Sequence, residues 1–309
     1  MKNKILILIL LITVLILPVK SNAQFDKIIL QFGIGIAQPM GDMKGTFYEY
    51  KILPEKPGLG ELIFVNKDLI TQNYGAKTGL DFNGNIKINF DKYGIVRGVG
   101  YISFTSFNTF EASQNANMGL LYRNPSTLLV DTTFTGISLS YTFRNFGLGF
   151  GLEIAPTSFT NFATPFFGAN FAINILGGEL SRAEGRDTNK ITFGSELRLG
   201  VNFNAGLEFK VSKQIGIVAG VKYELANLLL KSSGRSLSDR LEWGKTNAPI
   251  NDDGGTIWSS LPNILGDAIP SQYSSRAKNI NWLTFYLGLN WHIPTSKDKY
   301  EPVKKYRKF

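Results

Sequence analysis

From Lys190 to Val211 the chain alternates almost without a break. Ile191, Phe193, Ser195, Leu197, Leu199, Val201, Phe203, Ala205, Leu207, Phe209 and Val211 fall on one parity. Thr192, Gly194, Glu196, Arg198, Gly200, Asn202, Asn204, Gly206, Glu208 and Lys210 fall on the other. A period of two belongs to a β-strand, whose successive side chains point to opposite faces. Strands of globular proteins seldom exceed about 10 residues. This one is long enough to cross the apolar band of a transmembrane barrel, about 25 Å tall, and to project beyond it.

The pattern recurs along the chain. In Lys27 to Ala37, Ile28, Leu30, Phe32, Ile34 and Ile36 oppose Gln31, Gly33 and Gly35. In Lys77 to Phe90, Leu80, Phe82, Ile86, Ile88 and Phe90 oppose Lys77, Asp81, Asn83, Asn85, Lys87 and Asn89. Asp91-Lys92-Tyr93-Gly94 predicts a tight turn into a third strand from about Ile95 to Phe110, because Asp and Gly accept the angles of a short turn. Thr133 to Phe143 alternates on odd positions, and Leu148, Phe150, Leu152 and Ile154 alternate on even ones. The switch at Arg144 to Gly147 predicts either a β-bulge in one long strand or a hairpin. Pro165 opens the next strand, a polar loop is expected over 177–189, and further strands follow at Ile215 to Leu225 and Asn281 to Ile293.

Long and tight connections alternate, which predicts an all-β, closed antiparallel transmembrane barrel with an even strand count. Eight strands follow if 132–155 is one bulged strand. Ten follow if Arg144 to Gly147 is a hairpin and another strand lies within 38–74. Gly194, Gly200 and Gly206 share the polar parity of one strand, and Gly216 and Gly220 that of the next. A solvated face has little use for them, whereas the crowded inside of a narrow barrel does.

Residues 1–23 read as a cleaved signal peptide: Lys2 and Lys4 precede an apolar run from Ile5 to Leu17, and Ser21-Asn22-Ala23 supplies small residues for cleavage. No cysteine follows the run, so a lipoprotein is not expected. No later segment approaches the 18 or so apolar residues of a membrane helix, and a closed barrel is the other architecture that satisfies every backbone group in lipid. The expected organisation is thus a signal over 1–23, a barrel over 24–293 and a tail over 294–309. Loss of Lys2, Lys4 and Lys20 takes the formal charge from +9 to +6. The tail holds much of the remainder, in Lys297, Lys299, Lys304, Lys305, Arg307 and Lys308. Without a basic stripe elsewhere, no nucleic-acid partner is expected.

The barrel region, about residues 25–293, resembles the superfamily of small outer-membrane β-barrels, OmpA- or OmpX-like, porin-like or PorT-like. One motif is sharper than the general pattern. Tyr286, Gly288, Trp291 and Ile293 match the signal of a final strand that the barrel-assembly machinery reads. Many members end on that strand, whereas this chain continues for sixteen residues. The resemblance implies outer-membrane lipid and the assembly machinery as partners, a Gram-negative envelope as location, and no cofactor.

The polar parity places Lys77, Asp81, Lys87, Arg97, Glu196, Arg198, Glu208, Lys210, Lys222 and Glu224 in the lumen, where charges must pair. Eight strands enclose only room for side chains, so a charged network filling the lumen is expected ahead of a solute path. The sole histidine, His292, has Trp291 and Ile293 beside it, and no nucleophile–base pair marks an enzyme. Asp252-Asp253-Gly254-Gly255 reads as a turn without the spacing of a Ca²⁺ loop. Trp243 and Trp258 are candidate anchors within 231–279. The functional expectation is a structural or surface-interaction barrel that displays loops 38–74 and 231–279. The alternatives are a narrow channel or solute binder, and an accessory subunit of a secretion or assembly machine with an envelope partner at the loops or tail.

Overall fold

The computed structural model describes residues 28–45, 49–52, 63–66, 72–91, 94–108, 116–123, 130–156, 163–184, 187–212, 214–234, 237–239, 242, 244–259 and 271–293. The expected signal, the tail beyond Ile293, Trp243 and the side chain of Trp258 lie outside the described residues. Eight strands form the ring: β1 (Ile28–Met40), β2 (Gly79–Asn89), β3 (Val96–Phe107), β4 (Val130–Ile154), β5 (Ala163–Glu184), β6 (Asp187–Lys210), β7 (Ile215–Leu229) and β8 (Asn281–His292). Each pairs antiparallel with its neighbours, and β1 closes on β8 through pairs such as Gly33 with Gly288 and Ile36 with Phe285. The eight-strand expectation holds, and the ten-strand alternative does not. The hairpin within 38–74, Glu49–Ile52 with Ile63–Asn66, stands apart from the ring.

Alternation sets which face meets what. Phe32, Ile34, Ile36, Phe82, Ile86, Phe285, Leu287 and Leu289 point outward, and Phe32 is 65% exposed. Gln31, Asp81, Lys87, Arg97, Asn170, Asn202 and Glu224 point inward and are buried. Glycine makes room for the larger inward side chains. A Cβ on Gly149 would lie 2.2 Å from the Tyr101 ring, one on Gly168 would lie 2.1 Å from the Asn204 amide, and one on Gly220 would lie 2.7 Å from the Tyr286 ring. In each case the large residue is the glycine's register partner on the adjacent strand.

Three strands are much longer than the rest. β4, β5 and β6 run for 25, 22 and 24 residues, against 11 to 15 for the other five. Their upper parts continue past the ring as a sheet, which Ala116–Arg123 extends by pairing with β4. The polar stretch 177–189 is therefore not the loop expected from its composition: β5 and β6 pair up to Glu184 with Asp187.

The two irregularities fall the other way round from the sequence expectation. β4 pairs with β5 from Ser138 to Ile154 without a register shift, so Arg144 to Gly147 contains neither bulge nor hairpin. Its apolar parity switches because Tyr141 and Phe143 face an apolar plug inside the ring, whereas Phe146 and Leu148 face outward lower down. The bulge sits instead in β6, whose alternation looked unbroken. Leu176 faces Glu196 but Gly178 faces Phe193, leaving one extra residue at Gly194–Ser195. That residue turns Ile191 and Phe193 inward to join the plug.

The plug also takes in Met43, Tyr74, Ala248, Ile250 and Ile280 from the long connections, packed against Phe107 and Trp282 of the ring. Phe107 and Trp282 meet edge to face at 5.6 Å, and Tyr141 and Phe193 at 5.8 Å. At the opposite end the turns are short: Gly94 N–H donates to Asp91 O at 3.2 Å, and the Ser212 hydroxyl caps the N–H groups of Gln214 and Ile215.

Candidate functional site

The inward polar side chains form three layers. At the short-turn end, Lys87 Nζ lies 2.7 Å from Glu153 Oε2, and Arg97 Nη1 bridges Glu153 Oε1 at 3.2 Å and Glu208 Oε2 at 3.1 Å. His292 Nε2 faces Glu208 Oε1 at 2.8 Å. Lys87 and Glu153 are all but fully buried, and the Lys87 ammonium also sits 4.7 Å from the Phe166 ring centre. Cross-strand register assembles the cluster, with Lys87 on β2, Arg97 on β3, Glu153 on β4 and Glu208 on β6.

In the middle layer Lys222 Nζ lies 3.2 Å from Asp81 Oδ2, which also accepts from the Thr105 hydroxyl at 2.7 Å. Asn83 Nδ2 donates to Asp81 Oδ1 at 3.0 Å, and Asn170 Nδ2 to Asn202 Oδ1 at 2.7 Å. Glu224 shares this layer. A cavity of about 10 Å³, counted as space for the centre of a water-sized sphere, lies among Asn83, Tyr101, Asn170, Asn202, Asn204 and Lys222. It has room for roughly one water molecule.

At the long-loop end Arg198 gathers the connections. Its Nε donates to Asp252 Oδ2 at 2.8 Å and its Nη2 to Asp252 Oδ1 at 2.7 Å, a bidentate pair. Nη2 also meets Glu196 Oε2 at 2.5 Å and the Ser232 hydroxyl at 2.9 Å. Glu196 Oε1 accepts from Ile250 N–H at 2.9 Å, and the Ser232 hydroxyl donates to Glu196 Oε2. Asn227 Nδ2 joins Asp252 Oδ2 at 2.8 Å to Lys278 O at 3.0 Å. Burial pushes the Asp252 carboxyl up, but the hydrogen bonds and charge of Arg198 outweigh it and hold the group below the ordinary range. Burial lowers the Lys278 ammonium to about 8, against the opposing pull of Asp252. Burial, then Asp252, raises the Tyr74 phenol well above its usual value.

Of the ten residues predicted for the lumen, Asp81, Lys87, Arg97, Arg198, Glu208, Lys222 and Glu224 are buried within it, and Glu196 is half-buried at its mouth. Lys77 and Lys210 are exposed, contrary to expectation: Lys77 precedes β2, and Lys210 ends β6 at the rim. Glu153 and Asp252 were missed. Glu153 shares inward parity with Gly147, Gly149 and Gly151, a signal that was available, whereas Asp252 sits in a stretch with no periodicity. Tyr286 of the final-strand motif points inward over Gly220, and Trp291 points outward at the short-turn end.

No family model and no curated protein matches this sequence. Among solved structures, Neisserial surface protein A is similar at 9% identity, with 86% of this chain and 96% of that one covered and a TM-score of 0.37. Ail, the attachment invasion locus protein of Yersinia pestis, is similar at 10% identity, covering 86% and 98%, with a TM-score of 0.32. A Pseudomonas aeruginosa FadL homologue aligns at 11% identity, covering 86% and 90%, with a TM-score of 0.20.

The chain's own geometry defines its class. A closed antiparallel ring that is apolar outside and charged inside, with short turns at one end and long loops at the other, is an outer-membrane β-barrel. The short-turn end faces the periplasm and the plugged end faces outward.

Proposed function

We propose that this outer-membrane barrel displays its outer loops for contact with another surface and passes no solute. The filled interior carries the proposal. Two layers of paired charge and an apolar plug occupy the ring, and the cavity between them holds about one water. A conducting lumen needs a continuous wet path, which a plug tied down through Arg198, Asp252 and Asn227 opposes. The raised sheet of β4, β5 and β6 supports the display half of the proposal, since it carries the chain well beyond the bilayer.

The partners in this proposal are outer-membrane lipid around the apolar belt, the assembly machinery at Tyr286 to Ile293, and an envelope or surface protein at the loops or tail. No catalytic role is proposed, because the sole histidine is engaged by Glu208 at the periplasmic end. Recording from single molecules in a planar bilayer tests the reading. A quiet baseline at neutral pH is expected, and steady conducting steps would overturn it.

A further inference from the structure

On the outward faces of β4, β5 and β6 the change from apolar to polar side chains falls on one row. Up β4 from Ile154, the outward positions read Leu152, Phe150, Leu148 and Phe146, and the next is Arg144. The ten positions from Ile154 to Arg144 rise by about 25 Å at ordinary strand rise and barrel tilt, which is the height of the apolar band. Arg144 therefore stands at the level of the outer lipid headgroups. On β5 the outward run from Phe167 to Ile175 is likewise apolar throughout, and it ends at Gly177, the register partner of Arg144.

Gly177 leaves a gap in that row. It lies opposite the β6 bulge at Gly194–Ser195, which leaves Ser195 exposed. A Cβ on Gly177 would stand 3.8 Å from Ser195 Oγ and 3.9 Å from the Phe193 carbonyl oxygen, with nothing else within 4 Å. Three adjacent strands thus frame a notch roughly 10 Å across, twice the ordinary strand spacing. Arg144 stands on one wall and Ser195 on the other, backbone makes the floor, and Phe146 and Ile175 form the lip on the membrane side.

The charges around the notch favour an anion. One outward position higher on β5, the Glu179 carboxylate is taken by Lys190 Nζ at 2.9 Å and by the Ser181 hydroxyl at 3.1 Å. Arg144 is exposed and has no hydrogen bond or ion pair among the described residues. Two cations, Arg144 and Lys190, therefore stand against one carboxylate, and the guanidinium is the one left to act.

We propose that this notch seats the phosphate of an outer-leaflet lipid over Gly177. Arg144 pairs with the phosphate oxygens, Ser195 donates a further hydrogen bond, and the acyl chains lie on Phe146 and Ile175. A guanidinium fork matches phosphate through two parallel hydrogen bonds. A carboxylate on a partner protein would also suit the fork, but the notch opens directly onto the apolar belt, which fits a ligand with a charged head and apolar chains. The proposal rests on the outer-membrane placement of the ring and adds one defined headgroup site to it.

The test places refolded protein in phosphatidylcholine bilayers that carry a minor share of phosphatidic acid or of diacylglycerol with the same chains. Lipid retained after mild detergent extraction is counted by native mass spectrometry. Wild type is expected to retain phosphatidic acid about tenfold over diacylglycerol, the yield of one hydrogen-bonded charge pair. Arg144→Gln removes the charge and Gly177→Leu fills the notch while keeping it, and both should lose the preference. Lys210→Gln, at the opposite rim, should keep it. Retention of the preference in Arg144→Gln or Gly177→Leu would overturn the seat, and its loss in Lys210→Gln would mark general charge attraction and overturn it too. Arg144-dependent binding of inorganic phosphate alone, in detergent without phosphatidic acid, would assign the notch to a free anion instead of a lipid. A chain that does not enter the bilayer overturns the outer-membrane reading itself, whereas one that enters without preference overturns this site alone.

Discussion

Arg198 and Asp252 lie 54 positions apart in sequence and face each other through two parallel hydrogen bonds of 2.8 and 2.7 Å. One is on a ring strand and the other on the longest described connection, so the pair ties loop to barrel. Both side chains are almost fully buried. Breaking such a pair from one side strands a charge and costs about 3–5 kcal/mol, whereas replacing both partners with apolar groups is often near neutral.

Asp252→Leu is therefore expected to loosen the plug by about 3–5 kcal/mol, and Arg198→Met with Asp252→Leu to recover much of the loss. Limited proteolysis of the folded barrel reads this out as faster cleavage within 231–256 in the single variant. Equal protection of both variants and the wild type would show that the pair does not hold the plug.

A pH effect follows from Lys278. Its folded pKa, about 8, lies below the unfolded 10.5, so the unfolded chain binds more protons between those values. Stability of the plug should rise as pH climbs from about 8 to 10.5, by on the order of 1–3 kcal/mol. Lys278→Met should flatten that rise, measured as the difference between the two urea midpoints across the window.

Interior glycines give a third expectation. Gly149→Ala places a methyl 2.3 Å from the backbone oxygen of Phe171 as well as against Tyr101, and backbone cannot swing aside. A loss of about 1–3 kcal/mol is expected. Gly100→Ala, on the outward face of β3, has nothing within 4 Å of its new methyl, so its unfolding midpoint should stay near that of the wild type.

Glu153 takes both Lys87 and Arg97. Glu153→Leu should destabilise the barrel by about 3–5 kcal/mol, and Lys87→Met in the same chain should restore part of it. Heat-modifiable gel mobility as a function of temperature measures both.

Deleting Ser195 removes the bulge and returns Ile191 and Phe193 to the outward parity, because a one-residue shift turns every side chain over. The lower barrel should still form and keep its gel shift, while the upper sheet loses its packing on the plug and becomes open to protease.

The lipid-facing half of the fold was legible in the sequence because lipid imposes one rule on every strand, and Phe32, Phe82 and Leu287 obey it. Above the membrane that rule lapses. There Tyr141, Phe143, Ile191 and Phe193 are apolar yet face inward, so hydrophobic parity reports an outward face low on β4 and β6 and an inward face high on them. On β4 the change of solvent looked like a bulge. On β6 the bulge and the change of solvent cancelled, leaving an alternation with no mark in it. The paired lumen charges were partly legible from parity, but Asp252 depends on a connection that folds back over tens of residues, which no local period encodes.

The three long strands are consecutive, so the sheet they raise stands on one flank of the ring. Ten residues beyond the ring add on the order of 25 Å of height at ordinary strand rise and tilt. Viewed down the membrane normal, a bare eight-strand cylinder has no preferred heading, but this one has a front and a back.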